Sequence, residues 1–133
     1  MNNTTIGVRA LLINKDKILL VKHSYIDGWY TIGGGVEPGE APLEAIKREM
    51  GEEVHVYCDS IELFGFYYNQ YQGHDDYVAL YTAQVNSTDF EIDNKEIAQA
   101  AWFSFDALPQ DISPATKRRV EEYLERLEKS DRW

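Results

Sequence analysis

Three glutamates near the end of a predicted helix are the residues best suited to do chemistry. Glu49, Glu52 and Glu53 fall within an arc of roughly 100° on a helical wheel, beside its apolar stripe. Like-charged neighbours destabilise a helix slightly, and negative charge near its C-terminal end opposes the helix dipole. A hard divalent cation with oxygen ligands, Mg²⁺ or Mn²⁺, would offset this cost. Considered alone, however, the three glutamates are better explained as a solvated helix face.

The residues around the glutamates favour the metal site. Gly34 is followed after five residues by Glu40, and seven further residues lead to the run of residues 48–56. This pattern resembles the box of the Nudix family, G-x5-E-x7-R-E-U-x-E-E-x-G-U, in which U is a bulky apolar residue. Eight of its nine specified positions agree, and a charged match of this length is far more specific than a lone glycine motif. The resemblance extends over most of the chain, from residue 6 to about residue 109.

The resemblance implies a role for each charged residue of the box. Glu49, Glu52 and Glu53 would ligate Mg²⁺ or Mn²⁺, and Glu52 and Glu53 would also take part in catalysis. Arg48 would serve the catalytic site by forming an ion pair with Glu40, which orients the helix. Because Mg²⁺ keeps several waters and binds substrate phosphates directly, a small number of carboxylates is enough to hold it.

Residues outside the helix complete the implied site. Gly34 and Gly35 would let the loop backbone approach the metal or the substrate phosphates. Two carboxylates are alternatives for the general base, because family members differ in which one they use. Glu53 lies in the box, whereas Glu96 lies six residues before Trp102, a spacing that resembles the family's additional acidic position. For Glu96 the other explanation is an exposed loop glutamate.

The reaction that the resemblance implies is hydrolysis of a diphosphate bridge by water, assisted by metal. The substrate would be a nucleoside diphosphate linked to another group, such as a nucleoside triphosphate, an ADP-ribose-type compound or a sugar nucleotide. Trp29 and Tyr68 are the predicted stacking residues for a base. Tyr68 belongs to an aromatic cluster with Tyr67, Tyr71 and His74, and core or surface packing is the alternative for each of them.

Two positions depart from the family pattern. Ile32 stands where a proline commonly precedes the paired glycines, which predicts a less rigid loop. His55 stands at the box glycine, where a left-handed residue usually ends the helix. A non-glycine residue in that conformation costs roughly 1–2 kcal/mol. We interpret His55 as a cation at a helix C-terminus, outside the chemistry.

Other classes of function stay open at this point. A catalytically silent nucleotide-binding sensor of the same fold would be expected to lack box carboxylates, and this chain has all of them. An acidic structural domain would leave the spacing of Gly34, Glu40 and Arg48 unexplained. A diphosphate isomerase on the same fold would need a catalytic cysteine in a matching context, which Cys58 does not obviously provide.

The pattern of apolar residues predicts the elements that position these side chains. We expect a sandwich of the α+β or α/β class, with a mixed sheet flanked by helices. The predicted loops are residues 33–39 and 69–76, and the first helix runs from Pro42 to about Glu53. A second helix opens at Pro114 with Val120, Tyr123, Leu124 and Leu127 on one face. The predicted strands are residues 6–13, 18–21, 29–32, 61–68, 77–85 and 98–105.

Composition limits the partners. The formal net charge of −10 repels polyanions, so a long nucleic acid is not expected, whereas a small phosphate ester bridged by a cation is allowed. The single Cys58 excludes an internal disulfide and fits a reducing compartment. The start of the chain lacks a basic signal region, and no stretch approaches the roughly 20 apolar residues of a membrane helix. We therefore expect one domain over residues 1–133, in the cytoplasm, with no membrane partner and with a homodimer allowed.

Overall fold

The computed structural model describes residues 3–92 and 95–133. Seven strands and two helices occur in this part of the chain. They are β1 (Thr4–Asn14), β2 (Lys17–His23), β3 (Ile26–Tyr30), β4 (Ile32–Gly35), α1 (Pro42–Val54), β5 (Ile61–Tyr71), β6 (His74–Gln84), β7 (Ile97–Ser104) and α2 (Pro114–Tyr123).

The strands form one mixed sheet around β1. This strand runs parallel to β6 over almost its whole length, from the pair Thr4↔Asp75 to the pair Ile13↔Gln84. On its other side β1 pairs antiparallel with β4 through its middle, residues 7–10, and with β2 near its end. Strand β5 pairs with β6, while β2 also pairs with β3 and β7. The predicted mixed sheet flanked by helices is confirmed.

The sheet alternation divides the apolar residues into two cores. On one face Val8 and Leu12 of β1 pack with Ile46, Met50 and the rest of the apolar stripe of α1. On the other face the alternate residues of β1 pack with β5, β6 and Val120 of α2. Each helix therefore covers one face of the sheet. In the described part of the chain, neither helix combines the length and apolar character needed to cross a bilayer.

The structure corrects three predicted boundaries. Residues 33–35 are not a loop, because they form strand β4 with Ile32 and pair with β1. Residues 69–76 are not a loop either, since β5 and β6 pair as far as Tyr71↔His74. Between them Gln72 and Gly73 have positive φ angles of 50° and 79°, as a tight two-residue hairpin turn requires.

The third correction concerns helix α2. It ends at Tyr123, and Glu125 just beyond it has a positive φ of 59°. Val120 is buried in the core, with Tyr123 and Leu124 packed against it. Leu127, which was predicted to share that face, is exposed because the helix has ended before it.

Candidate active site

Both ends of helix α1 are fixed by specific residues, and this places its glutamates near the C-terminal end. Pro42 occupies the first turn, and the Glu44 side chain accepts a hydrogen bond from the Ala41 N–H at 3.1 Å. The helix ends at His55, whose φ of 56° and ψ of 40° are left-handed. The expected left-handed cap is therefore present, with histidine in place of glycine. The backbone N–H of His55 donates to Gly51 O at 3.1 Å.

Arg48 holds the acidic side chains in place. Its guanidinium donates two hydrogen bonds to Glu40, at 2.7 and 3.0 Å, which confirms the predicted ion pair. It also donates to Glu49 at 2.8 Å, to Glu52 at 3.2 Å and to the carbonyl oxygen of Gly35 at 3.0 Å. The hydrogen bonds from Arg48 hold the pKa of the Glu40 carboxyl below its usual value. One planar side chain thus connects α1, the end of β4 and the loop that joins them.

Glu53 is the buried carboxyl of the site. Its side chain is only 6% exposed, and Oε1 accepts a hydrogen bond from the Gly33 N–H at 3.4 Å. Burial is the largest cause of a strongly raised Glu53 pKa, followed by the hydrogen bond to Glu49 and its charge. The charge of Arg9 and the Gly33 hydrogen bond oppose this rise only partly. The pKa of Glu53 is raised to about 9, so this carboxyl keeps a proton at neutral pH when no cation is bound.

The glycines of β4 let the strand lie directly against these carboxylates. A Cβ on Gly34 would lie 2.7 Å from the carboxylate carbon of Glu49. A Cβ on Gly33 would lie 2.0 Å from the carbonyl oxygen of Val8 in the neighbouring strand. A Cβ on Gly35, in contrast, would meet no atom within 4 Å. Gly33 and Gly34 are thus required by close packing, whereas Gly35 is not.

The donor set fits a hard cation. Glu49 and Glu53 are joined by a side-chain hydrogen bond and offer adjacent carboxyl oxygens, which are the ligands that a hard cation prefers. Glu52 is 52% exposed and pairs with Arg48. In residues 3–92 and 95–133, no three acidic, histidine or cysteine side chains already surround one point. This arrangement suits Mg²⁺, which takes few protein ligands and completes its shell with water and phosphate oxygens.

A cavity of about 530 Å³ adjoins the glycine strand on the sheet face that α2 covers. Gly34 and Gly35 line one part of it. The side chains that line the rest include Arg9, His23, Tyr25, Tyr30, Tyr71, His74, Asp76 and Trp133. Sequence reasoning missed most of these residues. Strand alternation could have found Arg9, which lies two positions before the buried Leu11 and so faces the same side of the sheet.

Two predicted stacking residues lie elsewhere. Trp29 is 6% exposed and packs edge-to-face on Phe103, with ring centres 4.8 Å apart. It belongs to the core beneath α2 and does not line the cavity, so its role in stacking on a substrate stays a prediction. The Tyr68 hydroxyl donates to Asp75 at 3.0 Å, and its ring contacts Tyr77. Because side chains alternate along β5, Tyr71 lines the cavity and Tyr68 faces the opposite side.

Glu96 lies beside the turn between β2 and β3. Its carbonyl oxygen accepts a hydrogen bond from the Ser24 N–H at 2.8 Å. Burial, and then the charge of Glu96, raise the pKa of the Tyr25 hydroxyl at the cavity. Burial and the charge of Arg9 lower the pKa of His23, while Glu96 opposes them. The structure thus brings Glu96 close to the cavity, and its role as a base stays a prediction.

The fold and the site together define a class of protein. It is an α-β-α sandwich in which the glycines of β4 contact the glutamates of α1, and Arg48 holds these glutamates in place. A family model described as the NUDIX domain matches residues 3–124. The chain therefore belongs to the Nudix family.

Three comparisons illustrate the range of this family. The chain is 37% identical over 115 residues to diphosphoinositol polyphosphate phosphohydrolase 2 of Rattus norvegicus, covering 85% of this chain and 63% of that protein. It is 30% identical to a putative 8-oxo-dGTP diphosphatase of Bacillus subtilis (strain 168), covering 90% and 79% respectively. The Nudix domain of Shewanella oneidensis NrtR, solved with ADP ribose, superimposes with a TM-score of 0.79 at 18% identity, covering 95% and 90%. The last comparison shows a shared fold.

Proposed function

We propose that this chain hydrolyses a phosphoanhydride bond in a nucleoside diphosphate that is linked to another group, with Mg²⁺ or Mn²⁺. One observation carries the proposal. The buried Glu53 and the partly buried Glu49 meet the backbone of Gly33 and Gly34, and Gly34 also lines an aromatic cavity. A diphosphate beside the carboxylates would then place its organic group in the cavity.

The acidic residues divide the work of the reaction. Glu49, Glu52 and Glu53 would hold the cation, and Arg48 keeps Glu49 and Glu52 oriented through its hydrogen bonds. The cation, when bound, neutralises charge on the phosphoryl oxygens and on the leaving group. A carboxylate accepts one proton from water as the water oxygen bonds to phosphorus. The bridging P–O bond then breaks, and the leaving phosphate departs with the bonding electron pair.

Two carboxyls are candidates for the base. Glu53 is nearer to the glycine strand, but its raised pKa means that it must first lose its proton, as a bound cation would cause. Glu96 lies near His23 and Tyr25, two residues that line the cavity. Separate Glu53→Gln and Glu96→Gln variants distinguish them, because only loss of the base removes the rise of kcat with pH.

The cavity favours a nucleotide over a polyphosphorylated inositol. The name of the rat relative refers to an inositol that carries many phosphates. Binding such a polyanion requires several cationic side chains. Among the described residues that line the cavity, Arg9 is the one with a permanent positive charge, and tyrosines are the most frequent aromatic side chains. Flat tyrosine rings suit a base. The proposed substrate therefore carries one nucleoside, as in nucleoside triphosphates, ADP-ribose-type compounds and sugar nucleotides.

The test is turnover of a substrate panel with controlled metal. Nucleoside triphosphates, ADP-ribose, sugar nucleotides and a diphosphoinositol are each incubated with Mg²⁺, Mn²⁺, Ca²⁺ or excess chelator. We expect hydrolysis of a nucleotide with Mg²⁺ or Mn²⁺, poor activity with Ca²⁺ and none in chelator. Glu62→Gln, which changes an exposed glutamate of β5, is the matched control for Glu53→Gln. Full turnover in chelator, or turnover of the diphosphoinositol alone, would overturn the proposal.

A further inference from the structure

The segment of residues 129–133, here called the C-terminal strap, lies along the outer side of strand β5. The Tyr68 N–H donates to Asp131 O at 2.7 Å, and the Trp133 N–H donates to Tyr68 O at 2.8 Å. These bonds pair the strap with β5 in parallel, at Tyr68↔Arg132. Lys129 Nζ donates to the Phe64 carbonyl oxygen at 2.6 Å. The strap is therefore attached to the sheet at both of its ends.

A buried charged pair of helix α2 holds the same segment from the other side. Arg119 is 1% exposed, and its Nε lies 3.0 Å from Oε1 of the buried Glu122. The other carboxylate oxygen of Glu122 accepts a hydrogen bond from the Ser130 N–H at 2.8 Å. Arg119 Nη1 donates to the carbonyl oxygens of Arg132, at 3.0 Å, and of Trp133, at 3.2 Å. The buried pair therefore holds the strap through Ser130, Arg132 and Trp133.

The last residue of the strap, Trp133, lies at the cavity. Trp133 lines the same cavity as Gly34 and Gly35 and is half-buried. Its ring meets Tyr67 edge-to-face with centres 5.5 Å apart, and the guanidinium of Arg119 lies 5.1 Å from its centre. The ring is thus held in one orientation before any ligand binds. A preorganised flat ring loses little entropy when a second ring stacks on it.

We propose that the C-terminal strap places Trp133 as the wall on which the base of the substrate stacks. The inference rests on the proposed function for the identity of the ligand. It assigns Trp133 to affinity for the base and leaves the carboxylates of α1 to the hydrolysis. The substrate class that this wall selects is one with a free aromatic base attached to its diphosphate.

The test compares ligands that differ only by the base. Binding of AMP, GMP, CMP, UMP and ribose 5-phosphate is measured by calorimetry, with Mg²⁺ present, for wild type, Trp133→Phe and Trp133→Leu. Leucine keeps apolar bulk without a flat face, and phenylalanine keeps a flat face. Leu127→Ala, an exposed position just before the strap, is the control for changes that touch the surface only.

We expect Trp133→Leu to weaken binding of the tightest nucleoside monophosphate about 5- to 150-fold, the range for loss of one stacked base. Binding of ribose 5-phosphate should stay unchanged, and Trp133→Phe should retain most of the affinity. In turnover, Trp133→Leu should raise KM and leave kcat nearly constant. Equal weakening of both kinds of ligand, or no weakening, would overturn the proposal. So would a wild type that binds no nucleoside monophosphate more tightly than ribose 5-phosphate. If no panel substrate is hydrolysed, the proposed function fails while the binding data still decide the role of Trp133.

Discussion

Replacing Glu53 by glutamine should make the metal-free protein more stable, and increasingly so as the pH rises. In wild type, burial and the neighbouring Glu49 raise the pKa of Glu53, so the folded protein keeps a proton there. The unfolded chain releases that proton above the ordinary glutamate pKa of about 4.3. The unfolded state then binds fewer protons than the folded state, and stability must fall as pH rises. Glutamine carries no such proton, and its amide can donate to Glu49.

The pH dependence of the free energy of unfolding gives the size of this effect. One proton retained by the folded state costs about 1.4 kcal/mol per pH unit above the unfolded pKa. Between pH 5 and pH 7 wild type should therefore lose about 2–3 kcal/mol relative to Glu53→Gln. For a chain of this length that difference corresponds to roughly 6–12 °C in melting temperature. Below pH 4, where both states bind the proton, the two pH dependences should converge.

The assay is thermal unfolding in chelator from pH 4 to pH 8, with Glu62→Gln as control. Mg²⁺ is then titrated at pH 7.5. Wild type should gain stability as the cation replaces the proton, and the variant should gain much less, because a ligand stabilises only the state that binds it. The reasoning is refuted if the two pH profiles run parallel in chelator, or if Glu53→Gln melts below wild type at neutral pH and keeps the same response to Mg²⁺.

Three further substitutions test other parts of the site. Gly34→Ala should lower stability by about 1–3 kcal/mol and kcat at least about tenfold, because the added Cβ would overlap the Glu49 carboxylate. Gly35→Ala is the control in the melting experiment, because a Cβ at Gly35 meets no atom within 4 Å. His55→Gly should be about 1 kcal/mol more stable than His55→Ala when the two are compared by calorimetry. Both variants lose the imidazole, and only alanine keeps a Cβ in the left-handed conformation. Equal melting temperatures would contradict this prediction. Arg48→Lys should lower kcat about tenfold or more and change stability by about 1 kcal/mol. The reason is that an ammonium group cannot replace the two hydrogen bonds from the guanidinium to Glu40. Unchanged steady-state kinetics would show that Arg48 has no role in the active site.

Glu52 and Glu53 differ in how deeply the fold buries their side chains. Glu52 and Glu53 are neighbours in the sequence, yet one is 52% and the other 6% exposed. The difference arises because successive helical positions turn by about 100°, which directs Glu53 toward the glycine strand and Glu52 toward solvent. Burial of Glu53 raises the pKa of its carboxyl.

The sequence alone was sufficient for the features that depend on short-range spacing. The helix from Pro42 follows from helical periodicity, and the structure confirms it. The resemblance to the Nudix box implied the Arg48–Glu40 pair and the left-handed end at His55, and both are present. The glycines were recognised as sites of close backbone approach, although their segment proved to be a strand. Its pairing partner is β1, more than twenty residues away, and glycine composition carries no signal for such a partner.

Only the tertiary structure decided what lies around the acidic helix. Trp29 was predicted to stack because it precedes the glycines, but strand direction turns it into the core beneath α2. Tyr68 was preferred to Tyr71, although a shift of one residue along a strand reverses the face that a side chain occupies. Arg9, His23 and Trp133 line one cavity from three distant parts of the chain. The spacing that forms the acidic helix is local and legible in the sequence, whereas the cavity wall depends on sheet register and on the docking of the C-terminal strap, which arise only when distant segments pack together.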